Sequence, residues 1–132
     1  MSVTYIFCID DKCGMLFLGK RQSRDRMLNA HLLSAIGQRD LYVTPYSAPL
    51  FAECASLHVG ETPSEDGFAF VEDGEYDLSE ANQVWLCRWN RLYPADRYFD
   101  EQSLKKSFRM THTTDIVGSS HEKITIETWR RI

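Results

Sequence analysis

Near the C-terminus, Ser119-Ser120-His121-Glu122-Lys123 gathers hydroxyls, a potential base, a carboxylate and an amine beside a loop containing Gly118. Such groups can relay a proton or hold an anion. A nucleophilic triad, however, needs convergence in space and an oxyanion site, which neighbours in sequence do not supply. Neither serine sits in a Gly-x-Ser-x-Gly elbow. The plain alternative is a loop-to-strand turn whose hydroxyls satisfy backbone amides. A second group is Gly19-Lys20-Arg21-Gln22-Ser23, where a strand passes through glycine into cations ahead of a helix. That junction can hold an anion on backbone N–H groups and side chains. It lacks the Gly-x-x-x-x-Gly-Lys-Ser/Thr of a phosphate loop, so a solvated charged helix start competes with an anion site. The third group is Trp89, Asn90, Arg91 and Tyr93, inside an aromatic and basic run from Val84 to Asp100. It reads either as a core strand with snorkelling arginines or as the wall of a binding site.

If the three groups meet at one sheet edge, phosphates would find guanidinium and backbone donors while a ring stacks on Trp89 or Tyr93. The candidate ligand-binding set is then Gly19, Lys20, Arg21, Gln22, Ser23, Trp89, Asn90, Arg91, Tyr93, Ser120, His121, Glu122 and Lys123. The ligand would be a nucleotide-like or phosphorylated small molecule. The condition is that Arg21, Arg91 and His121 share one face. The competing class is a non-catalytic interaction or dimerisation module with a tryptophan and arginine surface. Asp10 and Asp11 could hold a cation or act as acid and base, but carboxylates in a strand-end turn are commonly turn residues. The acidic run Glu72–Asp77 lacks calcium-loop spacing.

The elements that must position these residues alternate early and become strand-rich late. Val3–Ile9 is apolar on both parities and predicts a central strand covered on both faces. Asp10–Gly14 is a turn, and Met15–Leu18 a second short strand. Leu28, His31, Leu32, Ala35 and Ile36 follow helical spacing, with Ser23 or Asp25 as N-cap and Gly37 just past the end. Leu41–Thr44 is a third strand, Ala48–Ala55 a short helix with Pro49 in its first turn, and Leu57–Val59 and Phe68–Val71 are strands. Leu78–Gln83 holds a helical turn. The strand from Val84 should end near Leu92, since Pro94 cannot donate to a ladder. Ser103–Thr113 reads as extended, Thr114–Ser120 as a loop and Lys123–Trp129 as a half-exposed strand, together a C-terminal hairpin. The pattern implies an α/β fold, a mixed sheet with flanking helices in one domain spanning residues 1–132.

A hydrophobic fraction of 43% and a charged fraction of 26% suit a soluble globular chain, and a net charge of −4 argues against a nucleic-acid partner. A membrane span and a secretory leader are not expected, and the location implied is cytoplasmic. Cys8, Cys13, Cys54 and Cys87 form no Cys-x-x-Cys pair and are expected as free thiols. No metal site is expected.

Two resemblances add to this reading. Val3–Ile9, then Met15-Leu16-Phe17-Leu18-Gly19-Lys20 leading to a helix, then Leu41–Thr44, resembles the early part of dihydrofolate reductases. There, a strand ending in Met-Gly-Arg runs into a helix. Val84–Asn90, Tyr93–Phe99, Phe108–Thr113 and Ser120–Arg130 resemble the close of that fold. The resemblance implies a pared-down dihydrofolate-reductase-like architecture and an NADP-like nucleotide as the cofactor to test. Gly19 and Lys20 match its phosphate-side motif. The family's acidic, substrate-facing helix between the first two strands has only Asp10–Gly14 in its place. Its glycine pair ahead of a pyrophosphate-cradling helix is reduced to isolated Gly67 and Gly74, so an active folate reductase is not expected. Across more of its length the chain resembles small bacterial proteins sharing Phe7-Cys8-Ile9-Asp10-Asp11, Arg88-Trp89-Asn90-Arg91, Tyr93-Pro94-Ala95-Asp96 and Ser119–Thr125. These often carry the label ribonuclease Z. That chemistry needs His-x-His-x-Asp-His to bind zinc, and His31, His58, His112 and His121 lack the spacing.

Overall fold

The computed structural model describes residues 2–132. Its strands are β1 (Val3–Ile9), β2 (Gly14–Phe17), β3 (Lys20–Arg21), β4 (Leu41–Val43), β5 (Leu57–Val59), β6 (Phe68–Val71), β7 (Ala81–Arg88), β8 (Arg97–Tyr98), β9 (Phe108–Ile116) and β10 (Ile124–Arg131). Its α-helices are α1 (Arg26–Ile36) and α2 (Glu101–Ser107). Seven strands form the main sheet in the order β5-β4-β6-β1-β7-β10-β9, and β3-β2-β8 form a separate small sheet. Parallel pairing links β1 to β6 and β7 and links β4 to β5 and β6; β10 runs antiparallel to both β7 and β9.

The doubly apolar β1 occupies the middle because both its faces are covered. On one side Ile6, Phe68, Phe70, Ile124 and Ile126 pack under Leu28, Leu32 and Ile36 of α1 and under Phe51. On the other, Tyr5, Phe7, Val84, Leu86 and Trp129 pack against Met15 and Leu16 of the small sheet, Phe99, and Leu104 of α2. Each such large side chain, once buried, contributes about 1.5–3 kcal/mol. The α1 stripe is narrower than its periodicity suggests: Leu28, Leu32 and Ile36 are buried, whereas His31 and Ala35 are exposed. Asp25 caps this helix by accepting from the N–H groups of Met27 and Leu28, and Gly37 ends it at φ +66°.

Four expectations need correction. β2 is not a strand of the main sheet, so the first two main-sheet strands in chain order are β1 and β4. The helix between them is α1, headed by a carboxylate, Asp25, where only Asp10–Gly14 was expected to fit. Residues 103–107 are helical: Asp100 accepts from the Ser103 N–H at the start of α2, and Lys105 and Lys106 lie in its last turn. The strand that follows runs on to Ile116. Ala48–Phe51 is a single 3-10 turn rather than a helix reaching Ala55. Finally, β7 stops at Arg88, because Asn90 turns the chain with φ +60°.

Candidate functional site

The carboxyl ends of the parallel strands β1, β6 and β7 lead into Asp10, Glu72 and Trp89, the end of a parallel sheet where open α/β folds place ligands. The Lys20–Asp25 segment contributes side chains to all three strand ends. Asp10 is buried, and its carboxylate accepts from the N–H groups of Lys12, Gly14 and Tyr93 and from the Gln22 amide, at 2.7–3.2 Å. Burial works to raise its pKa, but these four donors more than offset that and hold it below the usual carboxylate range. Gly14 is required there: a Cβ would come within 2.6 Å of the Ala95 Cβ and 2.8 Å of the Asp10 carboxylate.

Glu72 is buried beside it and takes a two-pronged ion pair from Arg21, at 2.9 and 3.0 Å, plus the Ser47 hydroxyl at 2.7 Å. Arg21 also lies over the Tyr46 ring, 4.3 Å from its centroid. Its pKa is raised chiefly by the Glu72 bond. Between these two networks, a crevice lined by Cys8, Met15, Arg21, Gln22, Ser23, Val71, Glu72 and Trp89 has only about 10 Å³ of free space. That is at most one water. The Gln22 Oε1 is buried without a partner.

A third network ties the two ends of the chain together. Asp25 accepts from the backbone N–H groups of Ser119 and Ser120 at 2.9 Å, and its Oδ2 lies 3.0 Å from Nδ1 of His121. Burial raises its pKa, yet these donors outweigh burial and hold Asp25 well below the usual range. On the far side of the ring, Nε2 lies 3.1 Å from the Ser23 hydroxyl and 3.0 Å from the Tyr93 hydroxyl. His121 stacks on Trp89, with ring centroids 4.6 Å apart and planes 22° apart. The linear Asp25–His121–Ser23 order has the connectivity of a hydrolytic triad. Two features set it apart from one: Tyr93 shares Nε2, and the crevice beside Ser23 has no room for an acyl group. It acts as a strut joining the Ser119–His121 loop to the cap of α1.

Of the residues singled out from the sequence, Ser23, Trp89, Tyr93, Ser120 and His121 come together in this strut, and Gln22 borders it. The others are placed differently. Arg21 is consumed by Glu72 and is not a free anion-binding cation. Trp89 is buried at 4% exposure under His121, so its face is not open to a ligand ring. Gly19 (φ +74°) and Lys20 form the exposed tip of the β2–β3 hairpin. Asn90 donates to the Lys123 carbonyl and the Thr125 hydroxyl. Arg91, Glu122 and Lys123 have exposed side chains outside the cluster. The cationic convergence of Arg21, Arg91 and His121 is therefore not what organises this region; a carboxylate, Asp25, does. Its signal was legible only as an N-cap.

Two recesses flank the strut. One, about 550 Å³, lies between the start of α1, the Pro49–Leu50 turn and the Ser119–Ser120 loop, and is lined by Arg24, Arg26, Asn29, Pro49, Leu50, Ser119 and Ser120. The other, about 260 Å³, is lined by Phe17, Leu18, Lys20, Arg21, Gln22, Tyr93 and Pro94. Arg24 and Arg26 are exposed cations that the sequence reading passed over in favour of Lys20 and Arg21. Among the described residues, no three His, Cys, Asp or Glu side chains are grouped so as to hold a metal ion, and no helix is long and apolar enough to cross a membrane.

The architecture is that of an α/β protein of the dihydrofolate-reductase-like fold. Among solved structures, the chain is similar to dihydrofolate reductase from Enterococcus faecalis complexed with NADP(H) and RAB-propyl, with a TM-score of 0.67 and 10% sequence identity. The alignment covers 98% of this chain and 96% of that one, and at this identity the likeness shows the fold alone. No protein-family model matches the chain, and no curated protein matches it significantly.

Proposed function

We propose that the protein binds a phosphorylated or nucleotide-like small molecule in the recess between α1, Pro49–Leu50 and Ser119–Ser120. The supporting observation is the recess itself, about 550 Å³, within the size range of small-molecule sites. It combines two guanidinium groups, an amide and two hydroxyls with an apolar wall. Arginine forks match phosphate oxygens in pairs, and Pro49 and Leu50 offer an apolar surface for a ring. Asp25 beneath the recess does not line it, and its carboxylate is turned into its own donors.

The solved neighbour contains NADP(H), so a dinucleotide is the cofactor the fold implies. The residues here do not fit one. β6 runs into Glu72, Asp73 and Glu75 around the lone Gly74, which puts carboxylates where a pyrophosphate needs donors. The strand-end crevice is filled by the Arg21–Glu72 and Asp10–Gln22 networks. No hydride transfer is assigned to this chain. The interaction-module reading through a tryptophan surface has little support, since Trp89 is buried and Trp85 packs tilted on Phe68.

The test is a thermal-shift titration with inorganic pyrophosphate, AMP, ADP and NADPH. A ligand of the folded state stabilises by about 2.7 kcal/mol at a hundredfold excess over its Kd. The expected result is a dose-dependent rise with pyrophosphate, AMP or ADP, and none with NADPH, that Arg24→Ala with Arg26→Ala abolishes and Arg91→Ala leaves intact. A flat response, or a rise that survives the double variant, overturns the assignment.

A further inference from the structure

The two edges of the main sheet are unlike. The β5 edge is three residues long and is followed by Gly60 and Pro63, so it offers little to a passing strand. The β9 edge is nine residues long, and every side chain from Arg109 to Asp115 is exposed. Among the described residues, nothing pairs with its outer side. Beyond a bulge at Thr111, the stretch His112–Ile116 keeps an unbroken register with β10, carries two threonines and is free of lysine, proline and glycine. Lysine, proline and short length are the usual protections of an exposed edge. The bulge at Thr111 guards only the Phe108–Met110 end.

We infer that this edge pairs with the same edge of a second copy, giving a two-fold homodimer whose sheet runs continuously through two antiparallel β9 strands. The second copy is the occupant the residues favour, because the stretch is complementary to itself. Side chains that meet across a strand pair lie on the same face, so residues pair only with others an even number of positions away. Centring the two-fold axis on Thr113 places His112 opposite Thr114 of the other copy and Thr113 opposite its Thr113; Thr111 is the bulged residue, and its hydroxyl already donates to the Thr128 carbonyl at 3.4 Å. Each of the three side chains His112, Thr113 and Thr114 then has a partner able to donate or accept. Centring on Thr114 instead sets His112 against Ile116. Outside that pairing, Asp115 is held within its own chain, accepting from the Thr125 hydroxyl through Oδ1 at 2.7 Å. A two-fold axis is also the commonest symmetry of soluble oligomers. The inference is independent of the ligand recess.

A strand pair of this length is at the small end of specific interfaces, so the dimer is concentration-dependent. Light scattering after size exclusion, over about 1 to about 500 µM, should show the mass rising from 15.3 kDa towards twice that value. Thr113→Lys sets two like charges face to face at the axis and should leave a monomer at every concentration, while Thr113→Val keeps the dimer. Thr113→Cys should form an inter-chain disulfide on mild oxidation, because directly opposed residues have the Cα separation a disulfide needs. Circular-dichroism melting of each variant checks that it is folded. A wild-type monomer throughout the range, a dimer that survives Thr113→Lys, or a Thr113→Cys dimer that does not cross-link would overturn the inference.

Discussion

Arg21 illustrates how residue type can mislead. A guanidinium at a strand–glycine–helix junction has the chemistry of a phosphate ligand. Here its two bonds to Glu72 and its ring contact with Tyr46 make it a core strut. Arg21→Ala would leave Glu72 buried with only Ser47 as a donor, and should cost about 3 kcal/mol by denaturant unfolding; its effect on ligand affinity should be small by comparison. Asp25 is the opposite case, a residue unremarked except as a cap that turns out to join both ends of the chain. Its folded pKa lies below the unfolded value, so its stabilisation is complete above the unfolded value near 4 and is lost as acidification approaches the lower folded value. Glu101 adds the same sign, because Arg88 holds its carboxyl down to about 2. Melting temperature should therefore fall steadily from about pH 5 to about pH 2, and Asp25→Asn should flatten part of that fall while lowering stability at neutral pH. A variant slope equal to the wild type would mean that Asp25 titrates alike in the folded and unfolded chain.

At the scale of elements, close approach makes Gly14 a sharper test than any strand residue. Gly14→Ala pushes a methyl into Ala95, Gln22 and Asp10 at once and should cost about 1–3 kcal/mol, read as a lower urea midpoint with an unchanged slope. The central strand was legible from its double apolar parity, and α1 from its spacing and caps. So were β4, β5, β6 and β10, to within a residue or two. What the sequence concealed has physical causes. Met15–Leu18 is as apolar as a core strand because it covers the core from the far face of the sheet, and apolar content cannot say which layer a short strand joins. Ser103–Thr113 reads as extended when only Leu104, Phe108 and Met110 are weighed, yet its first residues belong to α2. Its helical signal is in the Asp100 cap and the terminal lysines, which polarity alone conceals. That the three groups could meet at a strand end was legible from their places in the element order; the part of Asp25 in the strut was not, because Asp25 and His121 are distant in sequence and an N-cap carries no sign of a second partner.

For the whole molecule, the sheet order has a consequence for how the protein is made. β1 leaves the ribosome well before its neighbours, since both β6 and β7 come from residues 68–88. Until those residues emerge, an almost wholly apolar segment has no strand to pair with, and β7 in turn keeps an open flank until β10 arrives at the far end of the sequence. Non-local pairing of this kind slows folding and lengthens exposure of unpaired strands. Removing β10 in a truncated transcript should therefore yield insoluble product, measured as loss from the soluble fraction on expression. The hazard for this chain lies in its synthesis, and a chaperone that shields β1 during those seconds should raise its yield more than any stabilising substitution in the finished core.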